Sequence, residues 1–528
     1  MKKNNFLWEY VQYWAETEPE FPALHYENST TSYGELDRLT EIMAQNLYQA
    51  GIGKGDTILT ILPCSSEYIM MLLAADKLGA IIVPMDVKYR SDELKRFIGH
   101  VNPAAVVATP AGDGFDMAAE LKNLQGEIKN FDKIQWILTG SVGFGMSFQS
   151  LTEAPAKQPG DEALQQIKRS QTLEDGMLIV FTGGTTGVPK AALLSKQNVA
   201  AMAATEAELI QKYLPGRIKT IAALPPSHVG GTVEMIGMAL VGGYEIFVHD
   251  TWSPRQVLET TEKEKIPLMG GVPTMYSIML LLPDLENYDL SSLALAILSG
   301  EKVDTQLIDQ IREKMCRDII IGYGSTEAGA EVTFTEPDTE KGLLAEGYVG
   351  KPLADVEIRI ADTEGNPLPA GEKGEVQVKS PYTIKSYYKM PEEDEAGFTE
   401  DGFCKTGDLG VLDEDGGLYI IGRLKHIIRV GSYTVTPSEV EEVIYQSGTV
   451  AMAAAIGVPD PVYGEVVWAV VSPLEGKQVT EEDIIQYCQN HLARFKAPKR
   501  VLVKQDLPVT RIGKVDRARV QKEVVEQL

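Results

Sequence analysis

Met177-Leu178-Ile179-Val180-Phe181 leads straight into Thr182-Gly183-Gly184-Thr185-Thr186-Gly187-Val188-Pro189-Lys190. The apolar run predicts a buried strand, and the segment after Ser195 predicts a helix. Between them, Gly183, Gly184 and Gly187 let backbone amides crowd around an anion, Thr182, Thr185 and Thr186 add donors, and Lys190 adds a positive charge. That is chemistry for gripping a polyphosphate. A Walker A loop is excluded, because no Gly-Lys-Ser/Thr follows a four-residue spacer and Val188-Pro189 precedes the lysine. The stretch therefore points to ATP handled by something other than a P-loop ATPase. Taken alone it also reads as a glycine-rich surface turn, and only its context separates the two readings.

On both sides of this stretch, from about residue 57 to 325, short apolar runs alternate with helical patterns. The runs at 57–62, 80–83, 104–108, 134–138, 220–224, 245–248, 294–298 and 318–322 are rich in Ile, Val and Ala. That alternation predicts parallel sheets covered by helices. Residues 157–176 are polar and read as an exposed connector. After about Gly350 the pattern changes to antiparallel strands at 355–360, 374–378, 410–412 and 418–421, the last two joined by the turn Glu414-Asp415-Gly416-Gly417. A helix is expected from Ser438, with Glu441 three residues on completing a capping box. Apolar runs at 450–456 and 466–471, a helix near 481–492 and a basic tail complete a compact α+β domain of ordinary size.

At 528 residues the chain is too long for one hydrophobic core. With 44% hydrophobic and 23% charged residues, it has the balance of a globular protein. A net charge of −26 argues against a general nucleic-acid binder and against coating of anionic membranes. It does not forbid an anionic cofactor, because a local nest of amides and lysines outweighs a distant acidic surface. Cys64, Cys316, Cys404 and Cys488 are scattered without a C-x-x-C pair, so reduced cysteines of a cytoplasmic protein are expected. Lys2 and Lys3 are followed by Asn4, Asn5 and Glu9 rather than an apolar region, so no signal peptide is visible. The most apolar long stretch, 68–84, is broken by Asp76-Lys77 and is too short to span a membrane.

Several separated segments share one order with a known family. They are the loop at 182–190, Gly322-Tyr323-Gly324-Ser325-Thr326-Glu327, Lys405-Thr406-Gly407-Asp408, Gly422-Arg423-Leu424-Lys425 and Arg511-Ile512-Gly513-Lys514. Weaker matches include Ser32-Tyr33-Gly34-Glu35-Leu36, Val272-Pro273-Thr274 and Phe495-Lys496-Ala497-Pro498. Over essentially its whole length the chain resembles the ANL superfamily of adenylate-forming enzymes, in its acyl-CoA synthetase branch. The resemblance implies a large N-terminal α/β domain, 1–424, of parallel and mixed sheets covered by helices plus a β-barrel-like subdomain. A small mobile α+β domain, 425–528, would carry Lys514.

The implied reaction has two halves. A carboxylate attacks the α-phosphate of ATP to give an acyl-adenylate and pyrophosphate, and a thiol then displaces AMP. Both halves need charge stabilisation and positioning more than acid–base chemistry. Lys514 resembles the mobile lysine that bridges the carboxylate and α-phosphate oxygens; by itself it reads as a solvated lysine. Glu327, otherwise a harmless helix-start carboxylate, would hold Mg²⁺. Thr326 would donate to the α-phosphate, and Tyr323, after Gly322, would stack on adenine. Asp408 and Arg423 resemble the pair that fixes the ribose, although Gly407-Asp408 is also good turn sequence. Lys425 falls where the family places its hinge, and Gly431-Ser432-Tyr433 would line the thiol entry in the second domain pose.

His228, in Leu224-Pro225-Pro226-Ser227-His228-Val229-Gly230-Gly231, matches the gate of acyl- and aryl-CoA synthetases. A lone histidine is as often structural. Amino-acid-activating relatives carry an aspartate near here, and none stands in this segment, which disfavours a substrate ammonium. Gly230 and Gly231 take up little volume, implying a fatty, alicyclic or aromatic acid larger than acetate. The sequence departs from the family pattern at Gly183, Ala191, Lys196, His426 and Ser432. The expected activity is an AMP-forming carboxylic acid:CoA ligase using ATP, Mg²⁺ and coenzyme A. Loading of an acyl group onto a separate carrier protein is the alternative, and a nucleotide-sensing homologue is a third reading. No G-x-G-x-x-G opens the first βα unit, which argues against a dinucleotide oxidoreductase. The expected partners are small molecules, with neither nucleic acid nor a membrane span, and a homodimer is left open.

Overall fold

The computed structural model describes residues 5–89, 91–112, 115–140, 144–154, 160–182, 189–301, 303–424, 428–430, 433–460, 463–492, 494–510 and 515–526. By their internal contacts the residues fall into two compact units: Met1–Ala345 with Val349–Ile358 and Val378–Cys404, and Glu346–Tyr348 with Arg359–Gln377 and Lys405–Leu528. The strand pair carrying Asp408 and Arg423 therefore groups with the C-terminal residues, whereas the sequence reading divides the chain at 424/425.

The first unit is built on two sheets. In one, Gly176–Thr182, Ile81–Pro84, Thr57–Ile61, Ala105–Ala108 and Gln135–Leu138 lie in the spatial order 176–182, 81–84, 57–61, 105–108, 135–138, joined by parallel pairing. In the other, Asp318–Ser325, Leu295–Leu298, Leu268–Gly271, Lys219–Ala222 and Glu245–Val248 are likewise parallel neighbours. Antiparallel strands flank both rows, so the sheets are mixed. Each expected strand between 57 and 322 is present to within a few residues, because a strand buried on both faces must be apolar throughout. Helix Ser66–Leu78 shows the same logic: ten of its residues are buried, and Gly79, at φ 73°, ends it in the left-handed region.

Asp76 and Lys77 do not break that helix. Both are 1% exposed. Lys77 Nζ meets Asp37 Oδ1 at 2.7 Å and Glu41 Oε2 at 3.3 Å. Asp76 pairs with Lys196, whose Nζ also donates to the Asp76 carbonyl at 2.8 Å. The expected connector 157–176 is corrected as well: it carries helix Gly160–Ser170, anchored by buried Leu164 and by Lys168 Nζ donating to Glu41 at 2.6 Å. Its polar residues lie on the outer side of an amphipathic helix, which mimics a loop in composition.

In the second unit, Glu357–Ala361, Gly374–Lys379, Cys404–Leu412 and Leu418–Arg423 form a four-stranded sheet in that order, where the barrel-like part was expected. The C-terminal sheet pairs Val450–Asp460 with Gly464–Pro473, and Arg500–Val503 runs parallel to the latter. Helix Pro437–Gln446 begins as expected, but the capping box does not form. Thr436 is the N-cap without a side-chain bond, and Pro437 fills the first turn. Glu441 turns inward, 8% exposed, accepts from Ala455 N at 2.8 Å, and takes Arg517 Nη2 at 2.6 Å. A half-buried guanidinium outcompetes the helix start for that carboxylate.

Candidate active site

Strand Gly176–Thr182 is paired antiparallel with Lys190–Ser195, Thr182 opposite Lys190. The glycine-threonine stretch thus closes a β-hairpin, and helix Lys196–Tyr213 follows only after the second strand. Ser195 accepts from Asn198 N and caps that helix. The strand arises because buried Ala191, Ala192 and Leu194 complete the sheet. Gly183, Gly184, Thr185, Thr186 and Gly187 lie outside the described residues, as do Lys425, Gly431, Ser432 and Lys514.

The two residues flanking the loop reach Glu327 and Tyr387, which are themselves hydrogen-bonded to each other. Thr182 Oγ1 donates to Glu327 Oε1 at 3.0 Å, and Tyr387 OH donates to the same oxygen at 3.3 Å. Lys190 Nζ lies 5.2 Å from the Tyr387 ring centroid and meets Glu393 Oε2 at 2.5 Å. Burial first, then the charge of Glu327, pushes the Tyr387 phenol far above its ordinary range, so it stays a donor.

Glu327 sits in the tight turn between Asp318–Ser325 and Ala330–Phe334, not at a helix start. Ser325 Oγ accepts from Ala328 N at 3.1 Å, and Thr326 O accepts from Gly329 N at 3.1 Å. A side chain at Gly324 would lie 1.8 Å from the Ala330 carbonyl oxygen, so only glycine lets the two strands close here. Tyr323 and Thr326 are half-buried at the carboxyl end of a strand in a parallel row, where such folds bind ligands.

Among the described residues no donor lies on Glu327 Oε2, and no group of three or more His, Cys, Asp or Glu could hold a metal. One carboxylate suits Mg²⁺ arriving with its phosphates and waters, and does not suit a protein-only metal cage.

In the second unit, Asp408 and Arg423 stand directly opposite each other on antiparallel strands. Arg423 Nε meets Asp408 Oδ1 at 2.8 Å, and Nη1 donates to the Thr406 carbonyl at 3.1 Å. Thr406 Oγ1 accepts from Asp408 N at 3.0 Å. Asp408 is buried while the Arg423 side chain is half exposed, so the carboxylate is the fixed member of the pair.

His228 is exposed, two residues before the π-helical segment Gly230–Gly237. Gly231 does not open space for the acid. A side chain at Gly231 would lie 2.3 Å from the Pro225 carbonyl oxygen, so this glycine serves backbone packing rather than substrate space.

Beside this segment the first unit encloses a cavity of about 40 Å³, enough for a few water molecules. Leu209, Met235, Met238 and Phe334 supply apolar walls, and Glu206, Glu234 and Glu331 also line it. Glu206 and Glu331 are each 5% exposed. Burial pushes the Glu331 carboxyl up to about 7, against a hydrogen bond from Ser299. Burial also raises Glu206 and Glu234 well above the ordinary carboxylate range, and the neighbouring carboxylates add to it. Sequence reasoning missed this trio. Its signal was one acid within each apolar run: Ala-Ala-Thr-Glu206-Ala, Thr-Val-Glu234-Met-Ile and Ala-Glu331-Val. Tyr387 and Glu393 were missed too, and no local motif marks either.

Residues 11–388 match the family described as AMP-binding enzyme, and 439–514 match the AMP-binding enzyme C-terminal domain. The chain is 30% identical to the mitochondrial medium-chain acyl-CoA ligase ACSF2 of Danio rerio, covering 94% of this chain and 84% of that one. Its structure is similar to that of ATP-bound MatB from Rhodopseudomonas palustris, with TM-score 0.87, 26% identity and 99% of each chain covered. It is also similar to the o-succinylbenzoate CoA synthetase MenE of Bacillus subtilis in complex with its acyl-adenylate intermediate, with TM-score 0.84, 26% identity and 98% of each chain covered.

Proposed function

The chain belongs to the family of AMP-binding enzymes, and from that premise we propose how its residues divide the work. The activity is ATP-dependent ligation of a carboxylic acid to coenzyme A, releasing AMP and pyrophosphate. A carboxylate oxygen bonds to the α-phosphorus while the bond to the β-phosphate bridge breaks, its electron pair leaving with pyrophosphate. The thiol sulfur then attacks the acyl carbon, the adenylate oxygen departs with AMP, and the thiol proton goes to solvent.

In this reading the loop at 182–190 grips the leaving phosphates, with Lys190 oriented by Glu393 and by the Tyr387 ring. Thr326 donates to the α-phosphate, and Tyr323 carries the adenine. Glu327 would hold Mg²⁺, which supplies charge neutralisation on the phosphates. Asp408, aligned by Arg423, accepts the ribose hydroxyls. Lys514 bridges carboxylate and phosphate in the first half reaction, and Lys425 is the hinge before a mobile domain at 425–528. His228 gates the acid, and Gly431 and Ser432 lie on the thiol path. A cytoplasmic location fits the four cysteines, all buried and none in a disulfide.

The observation that carries this assignment is the single Glu327 oxygen receiving hydroxyls from both Thr182 and Tyr387. It ties the loop at its first residue to the turn that would hold the metal. The test is a panel of carboxylic acids assayed for pyrophosphate release, then for AMP release with coenzyme A or with a phosphopantetheinyl carrier protein. Acid-dependent pyrophosphate followed by CoA-dependent AMP is expected. AMP release only with the carrier would move the second half reaction to a protein thiol.

A further inference from the structure

Glu206 and Glu331, both buried, and half-buried Glu234 line one cavity beside the segment that follows His228. A side chain at Gly324 would run into Glu331 Oε2 at 2.4 Å, and one at Gly230 would sit 3.6 Å from Glu234 Oε2. Glu331 therefore lies against the glycine of the Gly322–Glu327 motif, and Glu234, Met235 and Met238, from the segment after His228, line the cavity. Helix Lys196–Tyr213 contributes Glu206, the π-helical segment Glu234, and strand Ala330–Phe334 Glu331.

Their partners do not account for them. Glu331 has Ser299. Glu206, 5% exposed, has neither a hydrogen bond nor an ion pair among the described residues. The groups acting electrostatically on Glu206 and Glu234 are other members of the trio; no Lys, Arg or His among the described residues is one of them. A buried carboxyl without a partner costs free energy, and three around one cavity cost more than packing an alkyl chain requires. A purely aliphatic or aromatic acid would be served by leucine or methionine at these positions.

We propose that this cavity receives a positively charged nitrogen of the substrate, so that the acid activated is one that also carries a protonated amine or a quaternary ammonium. The cation supplies the pairing that Glu206 and Glu234 lack, and the apolar walls seat the methylenes between nitrogen and carboxylate. The absence of an aspartate at 224–231 is thereby compensated from three other elements. This reading rests on the ligase activity and narrows its substrate class.

The experiment compares isosteric acids differing only in charge: γ-trimethylammonio-butanoate against its tert-butyl isostere, ε-aminohexanoate against heptanoate, and γ-aminobutanoate against pentanoate. Pyrophosphate release is measured for each. The cationic member of at least one pair is expected to be favoured on the order of 100-fold in kcat/KM, the scale of a buried charge left unpaired. Its KM falls as pH rises through about 7, because Glu331 ionises there and attracts the cation, while the isostere gains nothing. Glu331→Gln and Glu206→Gln each reduce the preference at least about 10-fold, with thermal melts confirming folding. Preference for the neutral member in every pair overturns the proposal and leaves the ligase intact. So does turnover of other acids with no turnover of either member of any pair. If no acid at all releases pyrophosphate, the ligase reading falls and takes this one with it.

Discussion

Lys514→Ala is expected to lower acid-dependent pyrophosphate release by at least about 10²–10³-fold, the cost of removing one preorganised donor from a developing anion. Thioester formation from a supplied acyl-adenylate is expected to continue at close to the native rate. The asymmetry follows from charge. In the first half reaction two anions approach each other, and a cation between them offsets their repulsion; in the second, a thiol attacks an already activated acyl carbon. Three positions along the chain from Lys514, Arg517 donates from Nε and Nη2 to Glu441, which is anchored by Ala455 N. Both half reactions are read separately, by pyrophosphate release and by acyl-CoA formation from the adenylate. Equal loss of the two would show that Lys514 acts in both, and the two-pose cycle would fail.

Lys196→Ala is expected to destabilise the first unit by about 3–5 kcal/mol, because it strands a buried carboxylate. Lys196 and Asp76 side chains are both fully buried. Asp76 Oδ2 accepts from Trp8 N at 3.0 Å, so the pair also pins the N-terminal helix Leu7–Thr17. The double variant Lys196→Met with Asp76→Leu removes both charges and is expected to recover most of that loss. Denaturant unfolding followed by tryptophan fluorescence reads the difference, Trp8 lying beside the pair. A single variant as stable as the native chain would mean that water reaches Asp76.

Much of the fold was legible because parallel strands buried on both faces must be apolar, and few sequences meet that demand by chance. The runs at 57–62 and 294–298 show this, each landing within a residue or two of its strand. Local rules failed where a distant group competed. Glu441 satisfied every local requirement of a capping box, yet Arg517, 76 positions away, holds it. Asp76-Lys77 reads as a break in the apolar stretch 68–84, yet Asp37 and Glu41 on another helix let Lys77 be buried there. Around the site, the ordered motifs pointed to Glu327, Asp408 and Arg423. They were silent on Tyr387, which reaches Glu327 across 60 positions. The buried glutamates were overlooked because one acid in an apolar run reads as an interruption until three of them face the same cavity.

Activation of the carboxylate by its joining the α-phosphate of ATP leaves an isotopic record. An acid labelled with oxygen-18 in its carboxylate is turned over with ATP and coenzyme A, and the phosphate-containing products are analysed by mass. One labelled oxygen in AMP, with none in pyrophosphate, is the predicted result. Label in orthophosphate with ADP as the product would mean an acyl phosphate instead, and unlabelled AMP would mean that the carboxylate never attacked the nucleotide.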